Sequence, residues 1–170
     1  MLLPNLEWFT EGDARRAAGL VTEVWHKTRF SERQLAAALP GQTHRYLGFT
    51  SPGGLSPVAN HERLAHFCGK SRARHTQDLI DLWLADPTLP RLSLQTHGRE
   101  LSIPRWIACQ NLDLYIGHLA ESAYREAFSA HGIHLCPSQT EGFGHYINEA
   151  RAIGALILTL DAPPMNELID

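Results

Sequence analysis

No apolar run in this sequence is long enough to cross a bilayer. The longest, Ala155–Leu160, is broken by Thr159 and falls far short of the roughly 20 residues that a spanning helix needs. No basic leader precedes an apolar core at the N-terminus, so the chain is expected to carry no secretory segment and to reside in the cytoplasm. Paired cysteines are lacking as well. Cys68, Cys109 and Cys136 are odd in number and far apart, with no Cys-x-x-Cys, which argues against a disulfide framework and for reduced core thiols. Positive charge is not in excess. Fifteen Lys and Arg against 18 Asp and Glu give a formal charge of -3, the wrong sign for a general nucleic-acid binder. Repeats and low-complexity segments are also missing. With 44% hydrophobic and 19% charged residues, the 170-residue chain is neither disordered nor fibrous, and its length suits one globular domain or a little more.

Histidine, by contrast, is plentiful, with ten in the chain. His131-x-x-His134-x-Cys136, with His145 further on, has the residue types of a zinc site. The plainer reading is preferred: on a strand, His134 and Cys136 share one face and point inward together.

Short apolar runs alternate with helical patterns along the chain. Val21–Trp25 is strand-like, Ser31–Leu39 reads as a helix with Ser31 as N-cap, and Arg45–Phe49 reads as a strand. Thr50–Asn60 holds Pro52, Gly53, Gly54, Ser56 and Pro57, the densest turn chemistry in the sequence, and marks a linker over residues 51–62. The alternation then resumes. Strands are expected at Leu64–Cys68, Leu92–Thr96, Leu112–Ile116, Ile133–Cys136 and Ala155–Leu160. Helices are expected at Thr76–Leu84, Ala120–Ala130 and Phe143–Ile153. This is the pattern of an α/β domain with a Rossmann-like parallel sheet and helices on both faces, spanning residues 63–170 and preceded by a βαβ unit within residues 1–50. The apolar start at Leu2 and the helix-like opening at Pro163–Glu167, just before the end, suggest a piece of a larger protein.

One stretch carries chemistry: His134-Leu-Cys-Pro-Ser-Gln-Thr-Glu-Gly-Phe-Gly-His-Tyr-Ile-Asn-Glu149. It ends a strand, turns on glycines and opens a helix. In α/β sheets, ligands bind outside the carboxyl ends of strands, and a helix N-terminus offers free N–H groups to phosphates and hydroxyls. Gly142 and Gly144 allow the backbone to approach a ligand closely. Glu141 and Glu149 bracket the turn, and a carboxylate suits the vicinal hydroxyls of a sugar. Two readings of that pair stand at this point, ligand-binding acids or solvated acids flanking a helix.

Pro137-Ser138-x-x-Glu141-Gly142-Phe143-Gly144-x4-Glu149-Ala150-x3-Gly154 resembles the signature of the retaining family 4 glycosyltransferases, enzymes of GT-B fold. The resemblance implies that residues 63–170 are an incomplete C-terminal domain binding a nucleotide-sugar, and that residues 1–50 end an acceptor-binding domain. It implies that Glu149 holds the ribose hydroxyls, that Glu141 contacts the transferring sugar, and that the Gly142, Phe143 and Gly144 backbone lies beside the sugar and diphosphate. Gly69-Lys70-Ser71 is similar to the family turn whose cation, here Lys70, meets the diphosphate; Arg74 or Arg72 matches a second cation. The Gly-x4-Gly-Lys spacing of a P-loop is absent. His118 and Leu119, after Gly117, match the loop near the base, and Asn166 and Glu167 match a loop over the donor.

The implied activity is hexosyl transfer to an acceptor hydroxyl with retention of configuration, with Glu141 and Lys70 as catalytic residues. No metal and no cofactor are implied, the nucleotide-sugar being the substrate. The acceptor would be a glycan, a lipid or a small molecule, with room for peripheral membrane association of the intact enzyme and none for a nucleic-acid partner. A glycosidase using the same carboxylates would leave Lys70 and the helix N-terminus without a task. A non-catalytic nucleotide-sugar-binding module or a degenerate transferase is the other alternative.

Overall fold

The computed structural model describes residues 1–6, 8–48, 51, 54–67, 69, 74–97, 101–102, 111–141 and 143–169. Lys70, Arg72, Gly142, Cys68 and Cys109 lie outside the described residues. In chain order the elements are α1 (Glu11–Ala18), β1 (Glu23–His26), α2 (Arg29–Ala38), β2 (Thr43–Tyr46), β3 (Leu64–Phe67), α3 (Thr76–Ala85), β4 (Leu92–Thr96), β5 (Leu112–Ile116), α4 (Glu121–Ser129), β6 (Ile133–Cys136), α5 (His145–Ala152), β7 (Leu156–Thr159) and a 3₁₀ turn at Met165–Leu168.

The described strands form two sheets. A small lobe holds the parallel pair β1–β2, joined through α2, while the main lobe holds five parallel strands in the order β5-β4-β3-β6-β7. Side-chain alternation along the strands separates two cores. On β3, Ala65 and Phe67 join Phe128 of α4 and Tyr146, Ile147 and Ala150 of α5. Leu64 instead packs with Ile80 and Trp83 of α3 and with Leu92 and Leu94 of β4. The sheet is thus sandwiched between α3 on one face and α4 with α5 on the other, the α/β architecture expected from the alternating runs. The small lobe has its own core of Ala14, Ala17, Val24, Leu35 and Leu39.

Two local expectations need correction, and one helix, α1, stands where none was expected. Helix α1 lacks an apolar stripe, because only Ala14 and Ala17 are buried on it. A capping box starts it: the Thr10 hydroxyl accepts from the Asp13 N–H at 3.2 Å, and the Asp13 carboxylate accepts from the Thr10 N–H at 2.9 Å. Helix α2 begins one turn before the expected Ser31, because Thr28 is its N-cap and accepts from the Ser31 N–H. The expected helix after Pro163 is a single 3₁₀ turn.

The described part of the 51–62 segment contains no helix or strand and is laced to the main lobe. Val58 donates to the Ile153 carbonyl, Ala59 to that of Ser129, and Ser129 Oγ to that of Ser56.

Two buried histidines, His66 and His134, are structural. His134 is buried 4.3 Å from the Phe128 ring centroid and its Nε2 bonds the His131 carbonyl. His66 is buried between the Leu135 carbonyl and Thr76 Oγ1. Burial pushes both imidazoles down to about 4. Since the unfolded chain protonates them near 6.5, it binds more protons than the fold at intermediate pH, and stability falls as pH drops from about 7 towards 4. At pH 5 the loss is about 2 kcal/mol per histidine. Urea unfolding at pH 7.5 and pH 5 is expected to show a drop of about 4 kcal/mol; a flat profile would mean that these rings are hydrated. Cys136 is a buried thiol whose pKa burial pushes up, which keeps it inert.

Candidate functional site

In the strand order, direction of travel reverses between β3 and β6, and the connections leaving the carboxyl ends there part to opposite sides. A cleft of about 510 Å³ opens at this point. Gly69 and Arg74 reach it after β3, Gln95 and His97 from the end of β4, His118 and Leu119 after β5, and His145, Tyr146 and Glu149 from α5. Five of the residues singled out in the sequence (Gly69, Arg74, His118, Leu119 and Glu149) therefore line one cleft.

The two carboxylates have different surroundings. Glu149 is half-buried on the second turn of α5, and Tyr124 Oη donates to its Oε2 at 2.7 Å. Burial and the adjacent carboxylate both push the Tyr124 phenol up, so it remains a donor. Glu141 is buried. The Arg74 guanidinium lies 3.3 Å from its Oε1, and Ser138 Oγ donates to the same oxygen at 2.8 Å. Ser138 is in turn bonded to Tyr146 Oη at 2.5 Å, and Arg74 Cζ stacks 4.3 Å above the Tyr146 ring. Arg74 thus faces the cleft while neutralising Glu141 behind it. One guanidinium connects the buried acid to the open site.

The β6–α5 turn is held by its backbone. Gly144 caps α5 with a φ of 60°, where a Cβ would stand 2.5 Å from Leu168 Cδ1. Asn148 Nδ2 donates to the Phe143 and Gly144 carbonyls. Across the cleft, Gln95 Nε2 donates to the Gly117 carbonyl at 2.8 Å and fixes the β5–α4 turn that carries His118. His97 and His118 stack with centroids 6.1 Å apart.

Asn166 and Glu167 do not join the cleft lining. Glu167 reaches the small lobe instead, where it accepts from the Arg29 N–H at 2.6 Å and from Arg33 Nη2 at 3.1 Å. It occupies the N-terminus of α2, which favours a negative charge. Asn166 bonds Asp161. Phe143 and Glu141 flank the cleft without lining it.

Known structures give this arrangement a fold. Anabaena HepE (Alr3699), in a crystal structure with UDP and glucose, matches with a TM-score of 0.66 at 19% identity over 99% of this chain and 54% of HepE. TarM matches with a TM-score of 0.63 at 15% identity over 90% of this chain and 32% of TarM. The GtfA/B complex matches at 0.60 and 18%, over 96% and 34%. These neighbours are GT-B glycosyltransferases. The chain shares the fold of part of a GT-B structure. Its five-stranded sheet corresponds to the Rossmann-like domain of that fold. The chain spans about half the length of HepE. No protein-family model and no curated protein matches the sequence.

Within the GT-B framework, sequence reasoning missed Tyr124, Gln95, His97 and Tyr146. Tyr124 lies on α4, 25 positions from Glu149. No local spacing connects them. The signal for Gln95 was a polar side chain next to the carboxyl end of β4, where ligands bind in such sheets.

Proposed function

We propose that this chain is the nucleotide-sugar-binding part of a hexosyltransferase, one that moves a hexose from a nucleotide-sugar to an acceptor hydroxyl with retention of configuration. The observation that carries the reading is the meeting of Arg74 and Glu149 with the His118–Leu119 turn in one cleft at the sheet's switch point. A diphosphate fits beside the Gly69 backbone and Arg74, and the resemblance gives Lys70 as its other cation. A ribose fits at Glu149, whose Oε1 is not bonded to Tyr124. Cations beside the diphosphate offset the negative charge that grows on it as it leaves. Glu141 and the Gly142–Gly144 backbone would lie towards the transferring sugar. Retention rests on the resemblance of the Glu141–Glu149 signature, which implies no bound metal or cofactor; no enzyme nucleophile is assigned.

That HepE has been crystallised with UDP and glucose and with UDP-glucose supports the donor class. Residues 1–50 would contribute the acceptor side, with 51–62 between the lobes. The acceptor would be a glycan, lipid or small molecule. Calorimetric titration with UDP, GDP and ADP tests the reading. One of the three is expected to bind at least tenfold more tightly than the others, which is about 1.4 kcal/mol. If none binds, the proposal fails.

The second reading is a nucleotide-sugar-binding module or degenerate transferase without transfer activity. A bound donor whose sugar is neither hydrolysed nor transferred would select it.

A further inference from the structure

We propose that the Lys27 ammonium is the cation of a second anion subsite, between the small lobe and the β6–α5 turn, that takes a phosphate or carboxylate group of a ligand. Lys27 directly follows β1, at the carboxyl end of the small lobe's parallel pair. Its side chain crosses to the main lobe, where Nζ lies 3.1 Å from the centroid of the Phe143 ring. The residue is 5% exposed, and its amine is buried without a hydrogen-bond partner. The Glu141 carboxylate is paired with Arg74, and the Glu167 carboxylate with Arg29 and Arg33.

A buried ammonium with three unused donors is costly unless a charge or acceptors meet it. The Phe143 face supplies a cation–π contact, which satisfies none of the three donors. Burial alone lowers the amine to about 8, so it is still mostly cationic at neutral pH. The same turn leads into α5, whose N-terminus favours negative charge. An anionic oxygen displacing Phe143 from the amine would therefore meet a full charge with open donors. Neither Lys27 nor Phe143 lines the cleft, so the subsite extends the proposed function without depending on it.

The chain has only two lysines, Lys27 and Lys70, which makes the test direct. Lysine ε-carbon and ε-nitrogen NMR signals of the whole chain would be followed during titration with inorganic phosphate, with the Lys27→Met variant assigning the pair. Phosphate is expected to shift the Lys27 signals, and Lys27→Met is expected to weaken phosphate binding at least tenfold. Methionine keeps the stem length and suits an aromatic face. Because it removes an unsatisfied buried amine, it should raise the thermal midpoint by about 2–6 °C. Lys27 signals that ignore phosphate, with unchanged phosphate affinity in Lys27→Met, would overturn the proposal. Repeating the titration with saturating UDP separates two sources. A shift that survives assigns the subsite to a second anionic substrate, and one that vanishes assigns it to the donor's own phosphates. A wild type that binds phosphate at Lys27 but no UDP would remove the donor reading and leave this one standing.

Discussion

Glu149→Ala is expected to weaken nucleoside diphosphate binding by about 30- to 1000-fold. Tyr124 holds one carboxylate oxygen at 2.7 Å and sets the orientation of the other towards the cleft. A ribose there would donate two charge-assisted hydrogen bonds to the carboxylate, each worth about 1.5–3 kcal/mol. Water recovers part of that in the variant, leaving a loss of about 2–4 kcal/mol. Tyr124→Phe retains the carboxylate but frees its orientation, so it should fall between the wild type and Glu149→Ala. Calorimetry of the three proteins decides. Equal affinities would take Glu149 out of the ribose contact.

Arg74→Ala is expected to destabilise the fold by about 3 kcal/mol at pH 7 and by about 1 kcal/mol at pH 5. The change removes the guanidinium that lies 3.3 Å from the buried Glu141 carboxylate. An uncompensated buried carboxylate escapes the penalty by taking up a proton. That caps the cost at about 1.4 kcal/mol for each pH unit above its usual value near 4.3. The sign follows from linkage. The variant's folded pKa rises above the unfolded one, so the penalty is absent at low pH and grows as pH rises between them. Urea unfolding at the two pH values measures it. A pH-independent loss would mean that the guanidinium's packing on Tyr146, not its charge, is what the fold uses. The same variant should also lose nucleotide affinity, because the guanidinium that neutralises Glu141 faces the cleft.

The strands of the main lobe were legible to within a residue or two because each is a short apolar run closed by turn chemistry; Leu92–Thr96, Leu112–Ile116 and Ile133–Cys136 coincide with the sequence reading. Helix α1 was not legible from periodicity, since a helix that buries two alanines leaves no apolar stripe. Its Thr10-x-x-Asp13 cap was the available sign. The start of α2 was misread because Ser31 and Thr28 are both competent caps, and the bond from Ser31 N–H to Thr28 Oγ1 decides between them.

The candidate site divides in the same way. Glu141 and Glu149 stand out because one turn and one helix fix their spacing. Tyr124 and Lys27 do not, because what marks them is contact across the fold: a phenol from α4 on a carboxylate of α5, and an amine from the small lobe on Phe143. The placement of Glu167 has the same origin. Its sequence neighbourhood points to the donor, but the Arg29 N–H at the start of a helix some 138 positions earlier takes its carboxylate.

The most direct test of the central claim is a crystal structure of the protein with UDP bound. The account places the ribose hydroxyls within about 3 Å of the Glu149 carboxylate, the diphosphate at Gly69 and Arg74, and the base beside His118 and Leu119. A nucleotide bound elsewhere, or one in this cleft with its ribose turned away from Glu149, would contradict it.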